Sequence, residues 1–391
     1  MAALIAADLD AFVCALPINV LLLSGYWPVV GTSFAVFTRD GQVLLLVPED
    51  ELEIAKNGWA DDVVSYAAGS LSDLQSTSEI VIRELRKIAT KLSLKTIGFE
   101  SGVVSVPVSY AAMTLFGWSI QAILSEAFAP AELRPAESEL AILRSMLTPD
   151  EIVRVRKACK IAEDAFSYVQ GELKVGATEI EVASAIGERL NPADRHDVTR
   201  ADGFVFCMSG ENAYDASAAF QISRTRRLRE HDLVLVHCNS YADGFWTDIT
   251  RTYCLGDSDQ RQRKMYEAVI LARDAALDAI APRMRAKDVD ARARDVLTER
   301  GFGEAFKHGL GHSVGFTAID HNAPPRLHPA SPDRLEEGMV FNIEPAIYLE
   351  GIGGMRHCDM VAVTDNGAEL LTPFQNDLES MIISGVDAAL S

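Results

Sequence analysis

Five side chains competent to hold a cation fall on three short segments: His237 and Asp248 on the first, His312 on the second, Glu344 and Cys358 on the third. Imidazole, carboxylate and thiolate are the usual protein ligands of a divalent ion. In an extended strand, side chains two apart share a face. If 233–239 is a strand, His237 and Asn239 therefore point one way and Cys238 the other; Trp246, Asp248 and Thr250 share a face on a returning strand over 245–253. Asp243-Gly244 between them is a two-residue hairpin signal, and near-symmetry about that turn predicts His237 and Asp248 side by side. A second ribbon, 339–348 with 354–364 across Glu350 to Gly353, repeats the device. Asn342 and Glu344 share one face, Arg356, Cys358 and Met360 share another, and positions 344 and 358 are symmetric about Gly351. The loop from His308 to Gly315 adds two more histidines, with glycines that allow close backbone approach. Taken singly, a strand carboxylate is usually a solvated residue, and a lone Cys or His a core group. No short window has the HExxH type of spacing that identifies a metal site by itself.

The elements that must position these residues follow from pattern. Strand-like runs at 12–16, 33–37, 43–47 and 96–99 alternate with a helical pattern over 78–92, which predicts a small α/β domain over 1–135. A Pro-bearing stretch from Pro130 to Pro135 closes it. Helices are predicted over 137–146 and 149–170, the second opened by Thr148 as cap, Pro149 at its first position and Glu151 completing a capping box. Further helices over 179–190, 260–280 and 287–300 join the two ribbons in a second domain, 149–391.

With 391 residues, 48% of them apolar and 24% charged, the chain is a globular protein long enough for two cores. A net charge of -20 disfavours nucleic acid and anionic membrane surfaces as partners. The apolar run from Leu4 to Tyr26 is interrupted by Asp8 and Asp10, and no Lys or Arg precedes Arg39, so neither a membrane span nor a signal peptide is expected. Six scattered cysteines without a CxxC pair suit a reducing, cytoplasmic setting.

The wording of the segments resembles a known family. The run Gly244 to Thr252 after Asp232 to Val236, the loop His308 to His312, Phe341 to Pro345, and Gly353 to Arg356 with Val361 to Thr364 are similar to the ordered motifs of the M24 metallopeptidases. That family includes methionine aminopeptidase, aminopeptidase P, prolidase and creatinase. The resemblance spans the chain and implies an α+β pita-bread catalytic domain preceded by a smaller creatinase/prolidase-type α/β domain. In the family an Asp, Asp, His, Glu, Glu set binds two divalent ions. Asp248, His312 and Glu344 match it, whereas the first Asp falls on His237 and the last Glu on Cys358. Ser217 stands where a substrate-contacting His is usual, and His321-Asn322-Ala323-Pro324 replaces His-Glu-x-Pro two positions further from His312.

With Cys358 as thiolate the set carries three negative charges, which favours a single ion held by Asp248, His312, Glu344 and Cys358, with His237 as fifth ligand or base. Mixed sulfur, nitrogen and oxygen ligation favours zinc or iron, with manganese or cobalt as alternatives. The activity so implied is metal-dependent hydrolysis of a carbon-nitrogen bond in a small peptide or small nitrogenous substrate, as in Xaa-Pro peptidases. Glu344 would take the proton of water, His308 or His321 would protonate the leaving nitrogen, and Arg356 would face a carboxylate or oxyanion. Ser217, Tyr26 and Trp27 are substrate-contact candidates, the aromatic pair either reaching across a homodimer or packing locally. Two alternatives remain open: a metal-free or non-peptidase hydrolase of the creatinase or ectoine-hydrolase kind, and a non-catalytic binding protein on the same fold.

Overall fold

The computed structural model describes residues 1–28, 32–67, 76–101, 119–191, 197–218 and 222–383. The chain divides into two compact units, Met1–Arg144 and Ser145–Ser391.

The first unit is built on a six-stranded sheet of β1 (Ala11–Cys14), β2 (Phe34–Thr38), β3 (Val43–Pro48), β4 (Asp62–Tyr66), β5 (Thr96–Phe99) and β6 (Glu132–Pro135), in the order β4-β3-β2-β1-β5-β6. β1 to β3 read as nearly unbroken apolar runs because both faces of the sheet are covered. Alternation along the strands then sorts their side chains. Ala11, Val13, Phe34, Val36, Leu44 and Leu46 join one core cluster with the helices Thr77–Leu92 and Ser119–Ala127. Phe12, Cys14, Ala35, Leu45 and Val47 join a second with Val20, Leu23 and Leu140. The helix predicted over 137–146 ends at Arg144 and belongs to this unit.

The second unit opens with the helix Pro149–Phe166, and its capping box forms: Glu151 N–H donates to Thr148 Oγ1 at 3.3 Å while Glu151 Oε2 accepts from Thr148 N–H at 2.7 Å. The expected extension to Gln170 does not form. The helix stops at Phe166, where Ser167 Oγ donates to the Asp164 carbonyl, and a separate turn covers Val169–Glu172.

The central sheet runs β16-β10-β8-β7, from β7 (Ala201–Ser209), β8 (Leu233–Ala242), β10 (Ile249–Leu255) and β16 (Ile382–Ile383), with β9 (Phe245–Trp246) paired to β8. The hairpin turns at Asp243 and Gly244, whose φ values of 48° and 91° suit a two-residue primed turn. That turn sets a register two residues from the expected one: Thr250, not Asp248, is the direct partner of His237. Asp248 keeps the expected face and becomes the diagonal neighbour.

The second ribbon keeps one register throughout but divides between two sheets. β11 (Val340–Ile343) pairs with β14 (Asp359–Thr364), and β12 (Ala346–Leu349) pairs with β13 (Gly353–Arg356). The break falls at Glu344-Pro345 on one arm and His357-Cys358 on the other. Pro345 has no N–H to give a ladder, and Cys358 pairs instead with Thr250 of β10, N–H to carbonyl at 3.0 and 3.3 Å. The buried Arg251 holds this seam. Its Nη1 donates to the carbonyls of Thr250 (2.9 Å) and Cys358 (2.8 Å), and its Nη2 pairs with Asp359 at 2.7 Å. Burial works to raise the Asp359 carboxyl, but Arg251, His357 and Arg273 hold it well below the carboxylate range. Among the described residues no helix is long and apolar enough to cross a membrane.

Removing one partner of a buried pair strands the other charge and costs about 3–5 kcal/mol, whereas losing a helix cap costs about 1 kcal/mol. Arg251→Met is therefore expected to lower the urea midpoint of unfolding several times more than Thr148→Ala. Equal shifts would show that the seam contributes no more than a cap.

Candidate active site

Three segments converge in the second unit. β8 and the β9–β10 arm supply His237 and Asp248, the β11–β14 ribbon supplies Glu344, Arg356 and Cys358 at its break, and the loop 308–312 supplies His308 and His312. The loop lies against β11 like an extra strand: Glu344 N–H donates to the Leu310 carbonyl (2.8 Å), and Asn342 N–H to that of His312 (3.1 Å). Gly311 makes this possible, because a Cβ there would collide with the Asn342 carbonyl. From the helix Ala286–Glu299, Asp290 accepts from Leu310 N–H while Arg294 binds Asp290 and the His308 carbonyl, fixing the loop's other side.

Asp248 is the centre of the constellation. Its Oδ1 lies 3.6 Å from His237 Nδ1 and 3.6 Å from Cys358 Sγ, and its Oδ2 lies 3.4 Å from His312 Nε2. One ligand atom each from Asp248, Glu344 and Cys358 lie within 4.8 Å of one another. Ligand atoms around a four-coordinate ion at 2.0–2.3 Å stand roughly 3.3–3.8 Å apart, so a small contraction would seat one. His312 presents a suitable fourth atom. Its Nδ1 faces the Ser313 carbonyl at 3.1 Å, which fixes the tautomer and leaves Nε2 directed at Asp248. The donor set thus fits a divalent ion.

His237 is placed in the same cluster but oriented differently from a simple ligand. Asn239 Nδ2 donates to the Thr247 carbonyl, so its Oδ1 accepts from His237 Nε2–H at 2.8 Å. The bare Nδ1 is left facing Thr250 Oγ1 (2.9 Å) and Arg356 Nη2 (3.3 Å). Arg356 also reaches Thr250 Oγ1 at 3.3 Å and Glu344 Oε2 at 3.9 Å.

Burial dominates the protonation of the cluster. It pushes His237 down to about 4, with Arg356 adding to the shift against the pull of Asp248. It raises the Cys358 thiol well above its ordinary value, reinforced by Asp248 and Glu344. Asp248 itself is held below the usual carboxylate value: burial opposes this, but the two imidazoles and Arg356 prevail. Glu344 goes the other way, to about 7, because burial and the Asp248 charge outweigh Arg356.

A cavity of about 320 Å³ opens beside Glu344, lined also by His308, His312, His321, Arg326 and His328. His308 Nδ1–H donates to the Gly309 carbonyl (2.8 Å), and its Nε2 lies 3.0 Å from the Tyr348 hydroxyl, so both nitrogens are engaged. His321 stands edge-on to His312, ring centroids 5.1 Å apart. Burial lowers both His308 and His321 to about 4. Arg326 is committed to Asp333 through two close contacts. Ser217 lies on the one-turn helix Ala216–Ala218 and is not among the residues lining this cavity. Tyr26 is 2% exposed and donates its hydroxyl to Glu51, so it is a core residue of the first unit, packed locally; Trp27 beside it is half-buried. Sequence pattern gives Asn342 a face shared with Glu344 and no site role, yet it ties the cluster together. Its Oδ1 accepts from His312 N–H, and its Nδ2 lies 3.2 Å from His312 Nε2 and 3.5 Å from Cys358 Sγ. Its shared face with Glu344 was the available signal.

Comparison with known proteins gives a consistent result. The profile of metallopeptidase family M24 matches residues 153–365, and that of the Creatinase/Prolidase N-terminal domain matches residues 2–146. A Xaa-Pro dipeptidase of Pyrococcus furiosus is 31% identical over 375 residues, 95% of each chain. The solved prolidase of Pyrococcus horikoshii matches with a TM-score of 0.75 at 27% identity, over 96% of this chain and 97% of its own. The prolidase structure from Pyrococcus furiosus matches at 0.74 and 28% identity, over 95% and 98%.

The Glu344 shift has a measurable sign. In the metal-free fold its carboxyl keeps a proton to about pH 7, whereas the ordinary value is 4.5. The native state therefore binds more protons between those values, and stability falls as pH rises through that window, by up to about 3 kcal/mol. With a chelator present, Glu344→Gln is expected to match the parent near about pH 4 and to exceed it near about pH 8. Urea unfolding at the two pH values checks this.

Proposed function

The chain belongs to metallopeptidase family M24, and from that premise we propose a metal-dependent hydrolase of the Xaa-Pro peptidase kind, acting on small peptides at the Asp248 cluster. It pairs a creatinase/prolidase-type N-terminal domain with the α+β pita-bread domain of that family. The observation that carries the reading is the convergence of Asp248, Glu344 and Cys358 ligand atoms, with His312 Nε2 beside them, at the edge of a cavity sized for a small substrate.

Asp248, His312, Glu344 and Cys358 would hold one divalent ion, and their mixed donor atoms favour zinc or iron over manganese or cobalt. When bound there, the ion supplies polarisation of the scissile carbonyl and a lowered pKa for water. The remaining work falls to the chain's own groups. Glu344, facing the cavity, accepts the proton of the attacking water at its carboxylate and returns it to the leaving nitrogen. His308 and His321 are held neutral at physiological pH, so the proton-donor role expected of them passes to Glu344. His308 instead orients the Tyr348 hydroxyl, and His321 forms part of the cavity wall. Arg356 sets the local charge beside Glu344. Ser217 is a candidate substrate contact, and Trp27 is one only toward the partner's site in a homodimer. Six free, buried cysteines support a reducing, cytoplasmic setting. Family resemblance supports a homodimer.

Purified protein loaded with zinc or iron is expected to release proline from Xaa-Pro dipeptides and to lose that activity on chelation. Glu344→Gln should lower kcat by about 10²–10⁴, and Cys358→Ser should lose bound metal, read by elemental analysis. No proline from any member of a dipeptide panel, with metal bound, would remove the assignment.

A further inference from the structure

Two segments beside the cavity meet through one lysine. Lys307 immediately precedes His308, which lines the cavity, and the short helix Glu211–Asp215 carries Tyr214 one turn before Ser217. Packing brings the two together. A Cβ on Gly354 would collide with the Ala213 carbonyl, so this helix lies directly on β13. Gly354 pairs with Tyr348 across the ribbon, and the Tyr348 hydroxyl reaches His308 Nε2 at 3.0 Å. Lys307 and Tyr214, each next in sequence to one end of that chain of contacts, close it into a ring. Lys307 Nζ stands 4.5 Å from the centroid of the Tyr214 ring and donates to its hydroxyl at 3.3 Å.

The ammonium is thus held by a neutral partner. An aromatic face attracts a cation without cancelling its charge. Other cations near the cavity are already engaged: Arg326 with Asp333, Arg294 with Asp290, and Arg356 beside Glu344. Among the described residues Lys307 meets no carboxylate within ion-pair distance, and its side chain is exposed. Glu344 is the single acidic group among the described residues that line the cavity, in a chain of net charge -20. This side of the molecule therefore favours an anion where most of the surface repels one.

We propose that Lys307, seated on Tyr214, is a specificity-determining residue whose ammonium binds a carboxylate of the substrate, so that the site selects anionic small peptides. The proposal rests on the peptidase reading above and names the substrate feature that reading leaves open. Two sources can supply the group. The C-terminal carboxylate of a dipeptide stands two bonds from the scissile nitrogen, and an acidic side chain brings the same chemistry from the other residue. A flexible lysine stem carrying a point charge suits either.

The experiment compares three peptides on the zinc-loaded protein: Ala-Pro, with a C-terminal carboxylate; Glu-Pro amide, with a side-chain carboxylate alone; and Ala-Pro amide, with neither. One of the first two is expected to show a kcat/KM about tenfold above that of Ala-Pro amide, and which one identifies the source. Lys307→Gln is expected to bring them within about a factor of two, through KM, and Lys307→Arg to restore the preference. Equal kcat/KM on all three peptides, or a preference that survives Lys307→Gln, would overturn the proposal and leave the peptidase reading in place. So would a fall in kcat alone, alike on every peptide, since that is what a merely structural bridge between the two segments would give. If no proline is released, the same peptides are titrated calorimetrically into zinc-loaded wild type and Lys307→Gln. Carboxylate-dependent binding that weakens about tenfold in the variant would then support the proposal and remove the peptidase reading; binding of none of the three would remove both.

Discussion

One buried ion pair makes the site possible. Arg251 and Asp359 have no solvent contact, and the guanidinium that binds Asp359 also takes the carbonyls of Thr250 and Cys358. It therefore joins two ribbons that have no continuous sheet in common, at the strand position from which the thiol projects. Charges so deeply buried are tolerated only when every polar atom has a partner. Here Arg273 and His357 complete the shell of Asp359, and the carbonyls of Thr372 and Phe374 complete that of Arg251. The stability of the seam and the position of Cys358 are thus one property.

Around that seam, charge is arranged in opposition. Asp248 lies between two imidazoles and stays ionised, while Glu344, further along the second ribbon, is raised toward neutrality by burial and by that same Asp248. Two carboxylates of one cluster are thereby given different protonation behaviour, the condition under which one can anchor a cation and the other can carry a proton. Arg356 moderates the pair. It lowers Glu344 and Asp248 alike and suppresses protonation of His237.

Backbone proximity does as much as charge. The loop 308–312 can lie along β11 only because Gly311 has no side chain, and Asn342 then uses both ends of its amide on His312. The histidines along this loop consequently diverge in role. His312 keeps a nitrogen turned to Asp248, whereas both nitrogens of His308 are engaged by Gly309 and Tyr348.

The sequence by itself determined which faces exist. Period-two alternation puts His237 with Asn239, Asp248 with Thr250, and Asn342 with Glu344, and the Thr148 to Glu151 box and the Asp243-Gly244 turn declare their own geometry. The symmetry of 344 and 358 about Gly351 was likewise legible, because a ribbon with one register keeps it even where it changes sheet. Only the tertiary structure decided that Cys358 leaves its own ribbon to pair with β10 and that Arg356 reaches the imidazole. Strand breaks and the aim of a long side chain depend on what packs across from them, and those contacts join residues more than a hundred positions apart.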